Sequence, residues 1–216
     1  MTYLEIVNNV LRRLRERTVS TVDETAYSRL IGVFVNDAKE ECENAWNWSA
    51  LRTTLSATTE SGIFNYELNG SKNRATVLDV INDTSNWFMR YKTASEMNDI
   101  FLNQNPQSGA PLYYSFNGVS TADGDTLVDL YPIPNGAYDL RFNVVLRTGE
   151  LTLDADKLLI PAKPVQLLAY AKAVEERGED GGASGLSAYN SAGRSLNDAI
   201  SLDAAKHPEE EIWATV

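Results

Sequence analysis

Residues 41–55, ECENAWNWSALRTTL, decide how the chain is divided. Up to Trp46 the residues follow a charged helical pattern, with Cys42, Ala45 and Trp46 on one stripe. From Leu51 the pattern becomes a Thr/Ser-rich alternation of period two, which is that of a strand. Two tryptophans, Trp46 and Trp48, stand at the seam. A buried aromatic ring removes about 150–250 Å² from water, so the pair is expected to act as a structural hinge between a helical layer and a β domain. On that reading, Trp46→Ala costs about 3 kcal/mol.

Helical periodicity extends N-terminally from the seam. A second helix is expected over about 24–46, with Tyr27, Leu30, Ile31, Phe34, Ala38, Cys42 and Ala45 along one face. Before it, Thr2 and Glu5 make a capping-box pattern, and Leu4, Val7, Leu11 and Leu14 recur at spacings of three and four. Arg12, Arg13, Arg15 and Arg17 crowd the end of this first helix, where cations meet the negative pole of its dipole. Glu40, Glu41 and Glu43 read as a solvated flank.

C-terminal to the seam, seven runs alternate with period two: LRTTLSATT, IFNYEL, RATVLDVI, NWFMRYK, PLYYSFN, TLVDLYPI and YDLRFNVVLR. Turn-grade segments such as NGSKN, NDTS, ADGD and PNGA separate them. The spacing predicts an antiparallel sandwich or barrel-like domain. One short helix interrupts it near 95–104, with Met97, Ile100 and Phe101 toward the sheet. Helical pattern resumes at PVQLLAYAKAVEERGED, with Pro164 in the first turn, and again at LSAYNSAGRSLNDAISLDAAK. Pro208 ends it. The expected fold is α+β: a discontinuous helical bundle from 1–49 and 162–206, an inserted β domain over 50–161, and a tail over 207–216.

The chain has 216 residues, is 43% hydrophobic and carries a net charge of −11. A core of this size needs no disulfide support, and the lone Cys42 reads as a structural thiol. No apolar run approaches the roughly 18 residues of a membrane span, and the N-terminus does not resemble a signal peptide. The negative charge repels nucleic-acid phosphates, so non-specific DNA binding is not expected.

Catalytic chemistry is not visible. His207 is the only histidine and has no Cys or carboxylate cluster around it, which argues against a zinc site or a Ser–His–Asp triad. Neither dinucleotide nor P-loop glycine patterns occur. DGDTLVD lacks the later ligands of an EF-hand, so Asp123 and Asp125 read as turn residues. No catalytic residue, cofactor site or metal site is assigned. A carboxylate hydrolase has no support in the sequence, and an aromatic β surface binding a glycan or a protein is the alternative from another functional class.

Three stretches carry a family resemblance: NNVLRRLRERTVSTVDE with ECENAWNWSALRTTL; GAPLYYSFNG with LVDLYPIPNGAYDLRF; and LAYAKAVEERGEDGG, AYNSAGRSLNDAISLD and HPEEEIW. Their order resembles the head–tail adaptor proteins of short-tailed bacteriophages, the tail tubular protein A-like connectors. The resemblance implies a structural virion protein of the neck or tail, assembled in the host cytoplasm, without enzymatic activity. Another neck or tail component is the nearest alternative within that class. Implied partners are copies of itself in a ring, commonly a dodecamer, a portal protein, a tail nozzle or tube protein, and double-stranded DNA passing without sequence-specific contact. No membrane partner is implied. Portal docking is carried over to the tail residues His207, Pro208, Glu209, Glu210, Glu211, Ile212 and Trp213. Ring contacts between unlike surfaces are expected to set Arg12, Arg13, Arg15 and Arg17 against Glu175, Glu176, Glu179 and Asp180.

Overall fold

A computed structural model describes residues 1–103, 105–178 and 183–206. The chain divides into two units: Met1–Leu51 together with the described residues from Gly149 onward, and Arg52–Thr148 between them. The fold is α+β, with open sheets rather than a closed barrel.

The first unit contains α1 (Tyr3–Arg13), α2 (Ala26–Asn44), α4 (Ala162–Arg177) and α5 (Ala183–Ala204). Thr2 and Glu5 cap α1 reciprocally, the Thr2 N–H donating to Glu5 Oε2 at 2.8 Å. α2 starts later than the sequence pattern suggests. A 3-10 turn at Val22–Glu24 precedes it, and Thr25 caps it with Ser28 closing the box. The helices α1, α2 and α4 pack on one another, and α5 packs on α4. Ile6, Val7, Val10, Ile31, Val35, Ala38, Val165 and Ala169 are fully buried. At Gly32 the first two helices come so close that an added Cβ would collide with the Tyr3 hydroxyl and touch Val22.

The boundary expected at residue 161 is corrected by backbone hydrogen bonds. Residues 149–161 lie along the helical unit as a strap. Tyr3 N–H donates to Asp156 O at 2.8 Å, and Leu4 N–H to Asp154 O at 3.2 Å. These carbonyls satisfy N–H groups that the first turn of α1 leaves without helical partners. Asn36 on α2 bonds both the N–H and the C=O of Leu151, at 2.9 and 3.1 Å. The strap has no apolar period of its own, so its attachment was not legible locally.

The second unit contains β1 (Arg52–Thr58), β2 (Asn65–Leu68), β3 (Ala75–Asn82), β4 (Trp87–Phe88), β5 (Arg90–Tyr91), α3 (Ala94–Asn103), β6 (Ser108–Gly109), β7 (Tyr113–Val119), β8 (Thr126–Tyr131), β9 (Ile133–Pro134) and β10 (Asp139–Leu146). One sheet has the order β1-β10-β3-β4, the other β2-β8-β7-β5, and β6 pairs with β9. Leu68, Val80, Tyr114, Val128, Leu130, Leu140, Phe142 and Val144 come from both four-stranded sheets and share one core. That is a sandwich. The expected single strand NWFMRYK is split, because Met89 turns into this core while the flanking residues join different sheets. Pairing is mixed: β5–β7 and β6–β9 are parallel.

The α3 helix lies where expected. Its Met97 and Ile100 are buried with Tyr131, and Phe101 and Tyr113 pack around them. Tyr113 and Tyr131 are directly opposite on β7 and β8, so this helix covers the aromatic outer face of the second sheet.

Candidate functional site

One end of the helical unit gathers the charged residues singled out from the sequence. Arg12 and Arg13 lie exposed in the last turn of α1. After the Leu14 cap, Arg15 takes a left-handed backbone conformation, φ 59°, which lets the Glu16 N–H return to Leu11 O at 2.9 Å. Glu16 then meets Arg177 at the end of α4, at 2.6 Å. The Arg177 Nε donates to the Tyr27 hydroxyl at 2.7 Å, and its guanidinium stands 4.9 Å from that ring's centre. Tyr189 on α5 donates to Glu175 at 2.6 Å. Burial, with the adjacent Glu175 carboxylate, pushes the Tyr189 phenol up to about 12.

These bonds tie the end of α1, the start of α2, the end of α4 and the start of α5 into one charged pole. Arg12, Arg13, Arg15, Arg17, Glu175 and Glu176 are all exposed there. The arginine segment and the acidic segment therefore meet within one chain, joined through Glu16 and Arg177. Glu179 and Asp180 lie outside the described residues, as do His207, Pro208, Glu209, Glu210, Glu211, Ile212 and Trp213.

The tryptophan pair is embedded in the helical unit. Trp48 is 1% exposed, and its Nε1 donates to Cys42 O at 2.7 Å. Trp46 is half-buried and donates to Asp203 Oδ2 at 3.3 Å. Ala45, expected on the apolar stripe, is exposed. Burial, reinforced by Glu41 and Glu43, pushes the Cys42 thiol up to about 12, which suits an inert packing residue.

Two polar features escaped the sequence reading. Asp203 on α5 is 5% exposed and accepts from Ser49 N–H at 2.8 Å, Ser49 Oγ at 2.5 Å and Lys206 Nζ at 3.0 Å. Burial favours its neutral form, but these donors together outweigh that and hold its carboxyl down at about 2. The second feature is an ion pair inside α2. Lys39 Nζ lies 3.0 Å from Glu43, with both side chains almost fully buried. Glu43 therefore does not belong to a solvated flank, whereas Glu40 and Glu41 are exposed. An i,i+4 charge pair has the same spacing on a wet face as on a dry one, so the sequence offered no signal.

In the β unit, Asp125 accepts from the Gly70 and Lys72 N–H groups at 2.9 and 2.6 Å. It clamps the 69–74 loop and is a turn residue, as its sequence context suggested. The described residues contain no group of three or more His, Cys, Asp or Glu placed to hold a metal ion. No described helix is long and apolar enough to cross a membrane.

A helical unit built from residues 1–51 and the described residues from 149 onward is interrupted in sequence by a sandwich, and one end of that unit is a charged pole of stitched helix ends. The chain belongs to the SU10 adaptor protein family, whose model matches residues 1–209. It is a bacteriophage adaptor and a component of the virion. No curated protein matches the sequence.

Proposed function

We propose that copies of this chain form a closed ring between the portal and the tail tube or nozzle, around the channel through which DNA leaves. Membership of the adaptor family supports this reading most directly. The surface offered for contact between copies is the charged pole. Each copy turns the Arg12, Arg13, Arg15 and Arg17 side of the pole to one neighbour and the Glu175 and Glu176 side to the other, so that unlike sides meet around the ring. Exposed pairs of this kind contribute up to about 1 kcal/mol each, so they orient neighbours rather than hold them together alone. The acidic tail from His207 onward docks on the portal. The net charge of −11 keeps passing DNA from adhering to the channel wall.

Native mass spectrometry of the protein alone and mixed with a candidate portal protein tests this directly. A single closed stoichiometry that survives dilution is the expected result. A protein that stays monomeric in the presence of every portal tried would refute it. Deletion of residues 207–216 should abolish portal binding while leaving the unfolding temperature unchanged.

A further inference from the structure

Three Asn–Gly pairs occur in the chain, at 69–70, 117–118 and 135–136. Asparagine before glycine is chemically vulnerable, because glycine has no side chain to shield its own backbone nitrogen. Once that nitrogen gives its proton to hydroxide, it attacks the asparagine Cγ. The N–Cγ bond forms, the Cγ–Nδ2 bond breaks, ammonia leaves and a succinimide ring remains. Water then opens the ring at either carbonyl, leaving aspartate, or isoaspartate with an extra methylene in the main chain. The reaction needs a carboxamide free to turn and a backbone amide free to approach it.

Asn69, Asn117 and Asn135 are all exposed, so exposure does not separate them. Hydrogen bonding does. Gly70 N–H, the nucleophile of the first pair, donates to Asp125 Oδ2 at 2.9 Å, and Lys72 N–H donates to the other oxygen of that carboxylate at 2.6 Å. In the third pair, Asn135 Oδ1 accepts from the Tyr138 hydroxyl at 2.6 Å. Gly136 O accepts from Thr59 Oγ1 at 2.9 Å, and that hydroxyl in turn accepts from Tyr138 N–H at 2.9 Å. Both pairs are therefore pinned.

The middle pair is not held in this way. It lies in β7 between the pairings Phe116–Val128 and Val119–Thr126, so Asn117 and Gly118 together oppose Leu127 alone. Such a bulge locally disrupts the ladder. Gly118 has φ 82°, and a Cβ added there would meet nothing within 4 Å. Among the described residues the Asn117 carboxamide has no hydrogen-bond partner.

We propose that Asn117–Gly118 is a modification site of the folded protein, where spontaneous deamidation runs ahead of the other two pairs. Its product places one more negative charge on the β unit. The added methylene of isoaspartate falls where the register of β7 with β8 already shifts, so the modified chain stays folded.

Ageing the purified full chain in mildly alkaline buffer tests this. Peptide mapping by mass spectrometry follows each asparagine, and methyl transfer by a protein isoaspartyl methyltransferase reports the isoaspartate. In the folded protein Asn117 should convert at least about tenfold faster than Asn69, whose glycine must first release a hydrogen bond to a carboxylate. Asn135 should lag in the same way. In urea, where those bonds are gone, the three rates should converge. Asn117→Gln should remove most of the methyl-acceptor signal from folded protein, with circular dichroism confirming the fold. Equal rates at the three sites in the folded chain overturn the proposal, as does an Asn117 that stays intact there while converting in urea. A methyl-acceptor signal undiminished in folded Asn117→Gln overturns it too.

Discussion

Asp203 is the residue on which the end of α5 depends. Its carboxylate serves the Ser49 backbone, the Ser49 hydroxyl, the Trp46 indole and the Lys206 ammonium. Asp203→Ala should cost about 2 kcal/mol, since hydrogen bonds to charged groups contribute more than neutral ones and the stranded donors lose their partner. Its folded-state pKa is depressed, so the stabilisation is complete above the ordinary value of 3.8. It is lost as pH falls from there toward about 2. Acid titration of the unfolding temperature should show a shallower loss in Asp203→Asn than in the wild type. Lys39 belongs to the same scale. Lys39→Met removes the ammonium paired with the buried Glu43 carboxylate and should cost about 3 kcal/mol or more, while Lys39→Met with Glu43→Leu should recover most of that loss. Urea melts of the two variants check this, and equal losses would show that the two charges are not coupled.

Among the elements, the close approach of α1 and α2 and the anchoring of α2's end carry most of the helical unit's specificity. Gly32→Ala offers better helix propensity by about 1 kcal/mol. Its Cβ, however, collides with the Tyr3 hydroxyl, so thermal melting should show net destabilisation. Trp48→Ala should be the more damaging of the two tryptophan truncations, at about 3–5 kcal/mol, because Trp48 is 1% exposed and Trp46 only half-buried. That reverses the emphasis the sequence placed on Trp46. Periodicity could not separate them: Trp46 completes a helical stripe, whereas Trp48 lies beyond the helix and turns back so that its indole reaches Cys42 O. The capping box of α1, the apolar side of α3 and most of the long strands were legible, because each depends on neighbours within a few residues. The split of residues 86–92 between two sheets was not. It depends on Met89 finding a core supplied by Leu68, Val128 and Phe142, which are distant in sequence.

For the whole molecule, the charged pole is the feature a sequence reading anticipated least. Arg12–Arg17 and Glu175–Glu176 were expected on unlike surfaces that meet between copies. Within one chain they already share an end, joined by Glu16 and Arg177. Reversing charge at Arg13 and Arg15 together should lower ring yield in native mass spectra without changing the unfolding temperature. A parallel loss of stability would assign these residues to the internal network instead.

By itself the sequence determined the alternation of helix and strand, the return of helical pattern at the far end of the chain, the α+β class and the absence of a recognisable catalytic motif. These follow from local periods, caps and turn residues, which act over at most a few turns of chain. Tertiary structure decided which charges are dry, where residues 149–161 attach and which sheet each aromatic joins. Those outcomes depend on burial and on backbone partners more than a hundred residues apart. The same Lys, Glu or Trp is stabilising, costly or neutral according to what the rest of the fold places beside it.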